Sequence, residues 1–233
     1  MAYAGTMGRR RRGGGLFARL LMVLFGMTMA GLASAPVVWM LWPQPKPVAP
    51  DAPSLPITVG GVTFNVPPGA IRVAMQRRPG SQARIDLAFV WPTLAPPGPA
   101  GMPAPNAVPD TSERLFVTIA VSDGTLAPLE RLKTIYPRYT AAGPVVGPDG
   151  LTVQGFRADS PYLGEDLIYH AAAPERFLLR CTMPKGPTPA MCLHERRIEG
   201  ADLTVRFPRE WLSDWRTVAE GIERLIAGFR PAR

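Results

Sequence analysis
The chain carries few residues whose types and spacing could do chemistry. Its only cysteines, Cys181 and Cys192, flank a short stretch holding Pro184, Lys185, Gly186, Pro187 and Pro189. An apolar run, a Pro/Gly loop and a second apolar run make the pattern of a β-hairpin. If the two cysteines face one another across that hairpin, their Cβ atoms lie on the same side of the ladder and a disulfide meets its geometric requirement. The sharper alternative is a nucleophilic thiolate paired with His170 or His194. Oxidation to a disulfide removes the thiolate, and an oxidising compartment favours it, so the bridge is the expectation.

The same register places Phe177, Leu179 and Cys181 on one face with Cys192 and His194. An imidazole among such neighbours has the setting of a hydrogen-bonded core histidine. Glu165 and Asp166 are adjacent acids and Asp110 a third, but acids beside turns commonly serve as caps or solvated ends. A hydrolase built here would need His170, His194 or the Glu165/Asp166 pair to converge on one concavity. The cysteines do not fit the two-to-four-residue spacing of zinc ligands, and no HExxH, GxSxG, phosphate loop or dinucleotide fingerprint occurs. No metal, cofactor or catalytic residue is therefore expected.

What must position these residues begins with charge. The net charge is +8, and Arg9, Arg10, Arg11, Arg12 and Arg19 contribute five of it before the first acid, Asp51; +3 remains for everything else. A domain so balanced lacks the basic stripe that phosphate backbones require, which sets nucleic acid aside as a partner. Arginine over lysine, with abundant Ala, Pro and Gly, is the usage of a GC-rich bacterial genome.

Residues 20–42 carry no charge, about the 20 residues that cross a 30 Å hydrocarbon core at 1.5 Å per residue. The arginines before them predict a cytoplasmic basic tail at 1–19, and an exported C-terminal part in the periplasm of a bacterial inner membrane. Trp39 and Trp42 fall at the far headgroup boundary. Ala33-Ser34-Ala35 resembles a signal-peptidase site, but Pro36 follows and the apolar run continues, so an uncleaved anchor is expected. Arg11-Arg12 is followed by three glycines, a weak match to a twin-arginine signal. Within the span, Gly26, Ala30 and Ser34 recur every four residues and stack on one helix face, which would admit a second helix, from a membrane partner or another copy.

Residues 43–56 hold six of the 28 prolines and read as a stiff polyproline spacer. Residues 57–233 read as one α+β domain. Alternation is clearest at 84–91 and 115–121; further strands are expected at 57–66 around a Gly60-Gly61 turn, and at 151–157, 167–171, 177–183, 191–198 and 203–207. The cluster of six prolines at 96–109 reads as a surface loop. Pro128 opens a two-turn helix that Pro137 stops. Trp211, Leu212, Trp215, Val218, Ile222, Leu225, Ile226 and Phe229 form one helical stripe. The expected architecture is an antiparallel sheet of six to eight strands with this C-terminal amphipathic helix packed on one face. The expected role is an accessory or interaction protein of the cell envelope; the alternative is a periplasmic hydrolase using His170, His194 or Glu165/Asp166.

Overall fold
The computed structural model describes residues 15–41, 48–49, 51–98, 113–184 and 188–230, with side chains described at 19–34 and 36 in the first stretch. The chain divides into two units, Met1–Lys46 and Pro47–Arg233.

The first unit holds helix α1, Gly15–Leu41. Its hydroxyls are satisfied within the helix: Thr28 Oγ1 donates to the carbonyls of Leu24 (2.8 Å) and Phe25 (2.9 Å), and Ser34 Oγ to that of Gly31 (3.0 Å). Among the described residues no helix is long and apolar enough to cross a membrane, so the transmembrane expectation for 20–42 finds no support at this level. Trp42 and residues 1–14 of the expected tail lie outside the described residues.

The second unit is α+β and contains two sheets where one was expected. Strands β1 (Leu55–Val59), β2 (Val62–Val66) and β3 (Gly80–Ser81) make a small sheet in the order β2-β1-β3. Gly60 and Gly61, at φ 58° and 82°, close the β1/β2 hairpin, as a two-residue turn with left-handed residues requires. Residues Leu55 and Pro56, read as the end of the spacer, are already in β1. The large sheet is wholly antiparallel, with strands β4 (Arg84–Val90), β5 (Arg114–Val121), β6 (Val145–Val146), β7 (Leu151–Gly155), β8 (Glu165–His170), β9 (Leu178–Thr182), β10 (Met191–Ile198) and β11 (Ala201–Pro208). Its order is β4-β5-β11-β10-β9-β8-β7-β6. After β5 the chain crosses by helix α2 (Pro128–Thr134) to the far edge, then returns strand by strand until β11 closes on β5. The middle of the loop between β4 and β5, residues 99–112, and hence Asp110, lies outside the described residues.

Alternation sets the two faces of the large sheet. Ile85, Leu87 and Phe89, Leu115, Val117 and Ile119, and Leu203, Val205 and Phe207 are all buried in one principal core, each set spaced by two as a strand demands. Helix α3, Trp215–Gly228, covers that face together with the small sheet. The predicted stripe holds, but Trp211 and Leu212 belong to a 3-10 turn, Arg209–Asp214, so the α-helix starts at Trp215. From Leu212 to Phe229 the other seven stripe residues are buried, a gross stabilisation of about 10 to 20 kcal/mol before entropy. That exceeds the net stability of a domain, so this face is committed to the core. The opposite face carries a satellite core around Tyr136, Phe156, Leu167 and Leu178, under α2.

Candidate functional site
Cys181 on β9 and Cys192 on β10 are register partners on the core side, both almost fully buried, and are joined as a disulfide. Beside them Asp166 of β8 pairs with Cys181 in register. Its carboxylate accepts from Arg209 Nη2 at 2.5 Å, while Arg209 Nη1 donates to the Thr182 carbonyl at 2.9 Å. One guanidinium thus ties β8, β9 and the end of β11.

Glu165 faces the other way, because neighbouring residues on a strand point to opposite sides. It accepts from Arg180 Nη1 (3.1 Å), whose Nη2 lies 3.8 Å from Glu195; Glu195 in turn pairs with Arg131 of α2 at 3.0 Å. The acid pair read from the sequence is therefore split between the two faces, each member held by a different arginine. These ion pairs are half-buried beneath α2, and the flanking carboxylate holds the Arg131 guanidinium above its ordinary value although burial acts against it.

His194 lies where the register predicts, sealed in the core with its ring 6.2 Å from that of Phe177. Nδ1 sits 3.1 Å from the Leu178 carbonyl, so Nδ1 carries the proton and Nε2 keeps a lone pair that meets no partner among the described residues. Burial lowers the pKa of this imidazole, outweighing the bond to Leu178. His170 stands apart from it in a cleft of about 200 Å³ lined also by Arg176, Trp215, Arg216, Glu220 and Glu223. Its ring lies 5.1 Å from the indole of Trp215, and Phe177 contacts Trp215 at 5.2 Å. Neither His194, Glu165 nor Asp166 lines this cleft. General acid-base or nucleophilic catalysis requires convergence, and the four candidate groups occupy four separate environments. Among the described residues no three His, Cys, Asp or Glu side chains gather as a metal site.

Gly26, Ala30 and Ser34 lie on α1 in the other unit, exposed. What sequence reasoning missed is a groove on the α2 side of the large sheet. It has a volume of about 640 Å³ and is lined by Leu132, Tyr136, Leu167 and Tyr169 with Gln154 and Arg157 at its polar side. A partial signal existed in Leu132 and Tyr136 at helical spacing, but tyrosines on other elements gave no periodicity to read.

No family model matches the chain, and no curated protein matches it in sequence. Among the solved structures similar to it are two bacterial proteins. Smlt3025, an immunity protein of the Stenotrophomonas maltophilia type IV secretion system, superposes with a TM-score of 0.54 at 15% identity, over 77% of this chain and 94% of that one. FrpD, an iron-regulated outer membrane lipoprotein of Neisseria meningitidis, gives a TM-score of 0.48 at 11% identity, over 80% of this chain and 96% of that one. What this chain shares with the first of them is its fold.

Proposed function
We propose that the chain is a single-pass accessory protein of the bacterial inner membrane. Residues 20–42 cross the bilayer, 1–19 remain in the cytoplasm, and the α+β domain works in the periplasm by contacts with other proteins. The observation that carries this reading is the dispersal of His170, His194, Glu165 and Asp166, two of them neutralised by arginines and one sealed in the core. The uncharged run 20–42 and the five arginines before it support the membrane assignment. That an immunity protein of a secretion system has this fold supports a non-enzymatic role. Along α1, the face bearing Gly26, Ala30 and Ser34 is proposed to meet a second membrane helix, either a partner's or another copy's.

The test is cross-linking in intact membranes, detergent extraction of the full chain and quantification of what co-purifies. A stoichiometric protein partner is the expected result. Absence of any partner, together with hydrolysis of a model ester that disappears in His170→Ala, would overturn the reading.

A further inference from the structure
Tyr136, Tyr139, Tyr162 and Tyr169 are the tyrosines of the folded domain, the fifth being Tyr3. All four gather in the satellite core. Tyr136 and Tyr162 meet edge to face at 5.5 Å, Tyr139 lies 6.0 Å from Tyr162, and the Arg180 guanidinium sits over Tyr162 at 5.2 Å. Tyrosine and arginine concentrated outside the main core form the composition of a binding hot spot, since a ring gives apolar contact at low entropy cost and keeps a polar tip.

The groove opens beside this cluster, with Ala141 and Ala142, which lead into the β6 edge, in its wall. Among the described residues that line it, Arg157 is the one that is charged. That guanidinium pairs with Asp159 at 3.2 Å, but the two side chains are 48% and 76% exposed, so the pair is weak and readily exchanged. Lys133 and Arg138, next in sequence to lining residues, are exposed and carry no ion pair among the described residues. Among the described residues no acid lines the groove. At the same sheet edge Val145 and Val146 are 65% and 82% exposed.

We propose that this groove binds a segment of a partner protein that carries apolar side chains for the Leu132, Pro137 and Tyr169 surface and carboxylates for Arg157. The inference rests on the reading of the domain as a protein-contact module and names the chemistry of its partner. The open shape suits a chain segment more than an enclosed small molecule, and Arg157, whose exposed pair with Asp159 is readily exchanged, selects for acidic residues.

The probes are two labelled ten-residue peptides of Leu, Gly and Ser, one with three Asp and the other with three Lys at the same places. Binding to the full chain in detergent is read by fluorescence anisotropy at low salt. The expected result is a preference of about ten-fold for the Asp peptide, lost in Arg157→Glu and increased in Asp159→Asn, which frees the guanidinium. Both changes are at exposed positions, and an unaltered thermal transition shows that the fold is kept. Equal affinity for the two peptides, a preference indifferent to Arg157→Glu, or capture by anionic lipid vesicles in place of the Asp peptide would overturn the proposal. If the cross-linked partner persists in an Arg157→Glu, Ala142→Arg variant, the groove assignment falls while the accessory role stands; if no partner exists at all, the role itself falls.

Discussion

Gly60 and Gly200 stand backbone against backbone, so that a Cβ on either would overlap the carbonyl of the other. Gly60 lies in the β1/β2 turn and Gly200 in the turn joining β10 to β11. This contact is where the small sheet seats on the large one. Gly60 is also left-handed at φ 58°, whereas Gly200 does not use that region, so space alone demands glycine at 200. The Gly200 carbonyl additionally accepts from the Ser122 amide at 2.9 Å.

Gly200→Ala is expected to destabilise the domain by about 1 to 3 kcal/mol, because backbone must shift on both sides. Gly61→Ala, at φ 82° with open space around it, should cost only the conformational part, about 1 kcal/mol. Urea midpoints of the two variants check the order. A Gly200→Ala protein as stable as the wild type would show that the two turns separate without cost.

The second prediction concerns acid. His194 is neutral in the fold and its pKa lies below the ordinary 6.5. Under 6.5 the unfolded chain takes up a proton that the folded chain refuses, so stability is complete above that value and declines as pH falls towards the folded pKa. The slope reaches at most about 1.4 kcal/mol per pH unit. The charged groups felt by the ring are Arg196, Glu223 and Glu195. Asp86, whose carboxylate is lowered by bonds from Arg84, Gln76 and Thr118 against the effect of burial, loses its contribution only below 3.8. Unfolding midpoints at pH 7.5 and pH 5 should therefore differ in the wild type and converge in His194→Phe.

For the disulfide, protein isolated without reductant should show no titratable thiol. Cys181→Ser with Cys192→Ser should lower stability by about 2 to 3 kcal/mol, the chain-entropy value for a loop of this size. Partner binding should survive, since neither sulfur lines the groove. Free thiols under oxidising conditions would contradict both the bridge and the export that favours it.

Topology is open to reporter fusions. A reporter active only in the periplasm, fused after Arg233, should be active, and one active only in the cytoplasm should be silent. The opposite pair of results would end the proposed orientation.

The small-residue face of α1 is tested by Gly26→Ile with Ala30→Ile in a membrane-based association assay on residues 16–44. Both changes keep the segment apolar and preserve insertion. A signal reduced several-fold is expected, because close approach of helix backbones is lost; an unchanged signal would leave the helix a passive anchor.

The sequence revealed most where one face of an element is buried. The period-2 runs around Leu87 and Val117 became β4 and β5, and the facing of Cys181, Cys192 and His194 followed from a single register. The stripe from Trp215 to Phe229 became the helix on the core. Short elements escaped, since two residues such as Gly80 and Ser81, or Val145 and Val146, present no period. The division into two sheets was hidden because alternation in 57–66 does not say which strands it pairs with; β1 pairs with β2 and with β3, not with the large sheet. The groove was illegible for the same reason: Leu132, Gln154 and Tyr169 come from three elements, α2, β7 and β8, that only the fold brings together. Glu165 and Asp166 looked like a pair along the chain, and strand geometry set them on opposite faces.

The path of the chain through the large sheet carries a consequence for how it forms. Strands β6 to β11 each pair with the next along the chain, so this half can zip hairpin by hairpin with short loop closures. The seam between β5 and β11 is different: Val117 meets Val205 and Ile119 meets Leu203 across more than eighty residues. Closing that seam requires the most distant pairing in the sheet, the kind of contact that slows folding. Until it closes, both strands present unpaired edges to other chains. The seam between the second and third strands of the finished sheet is thus the last edge to disappear during folding, and substitutions at Val117 or Val205 should raise aggregation of newly made protein more than equal volume changes in the β9/β10 hairpin.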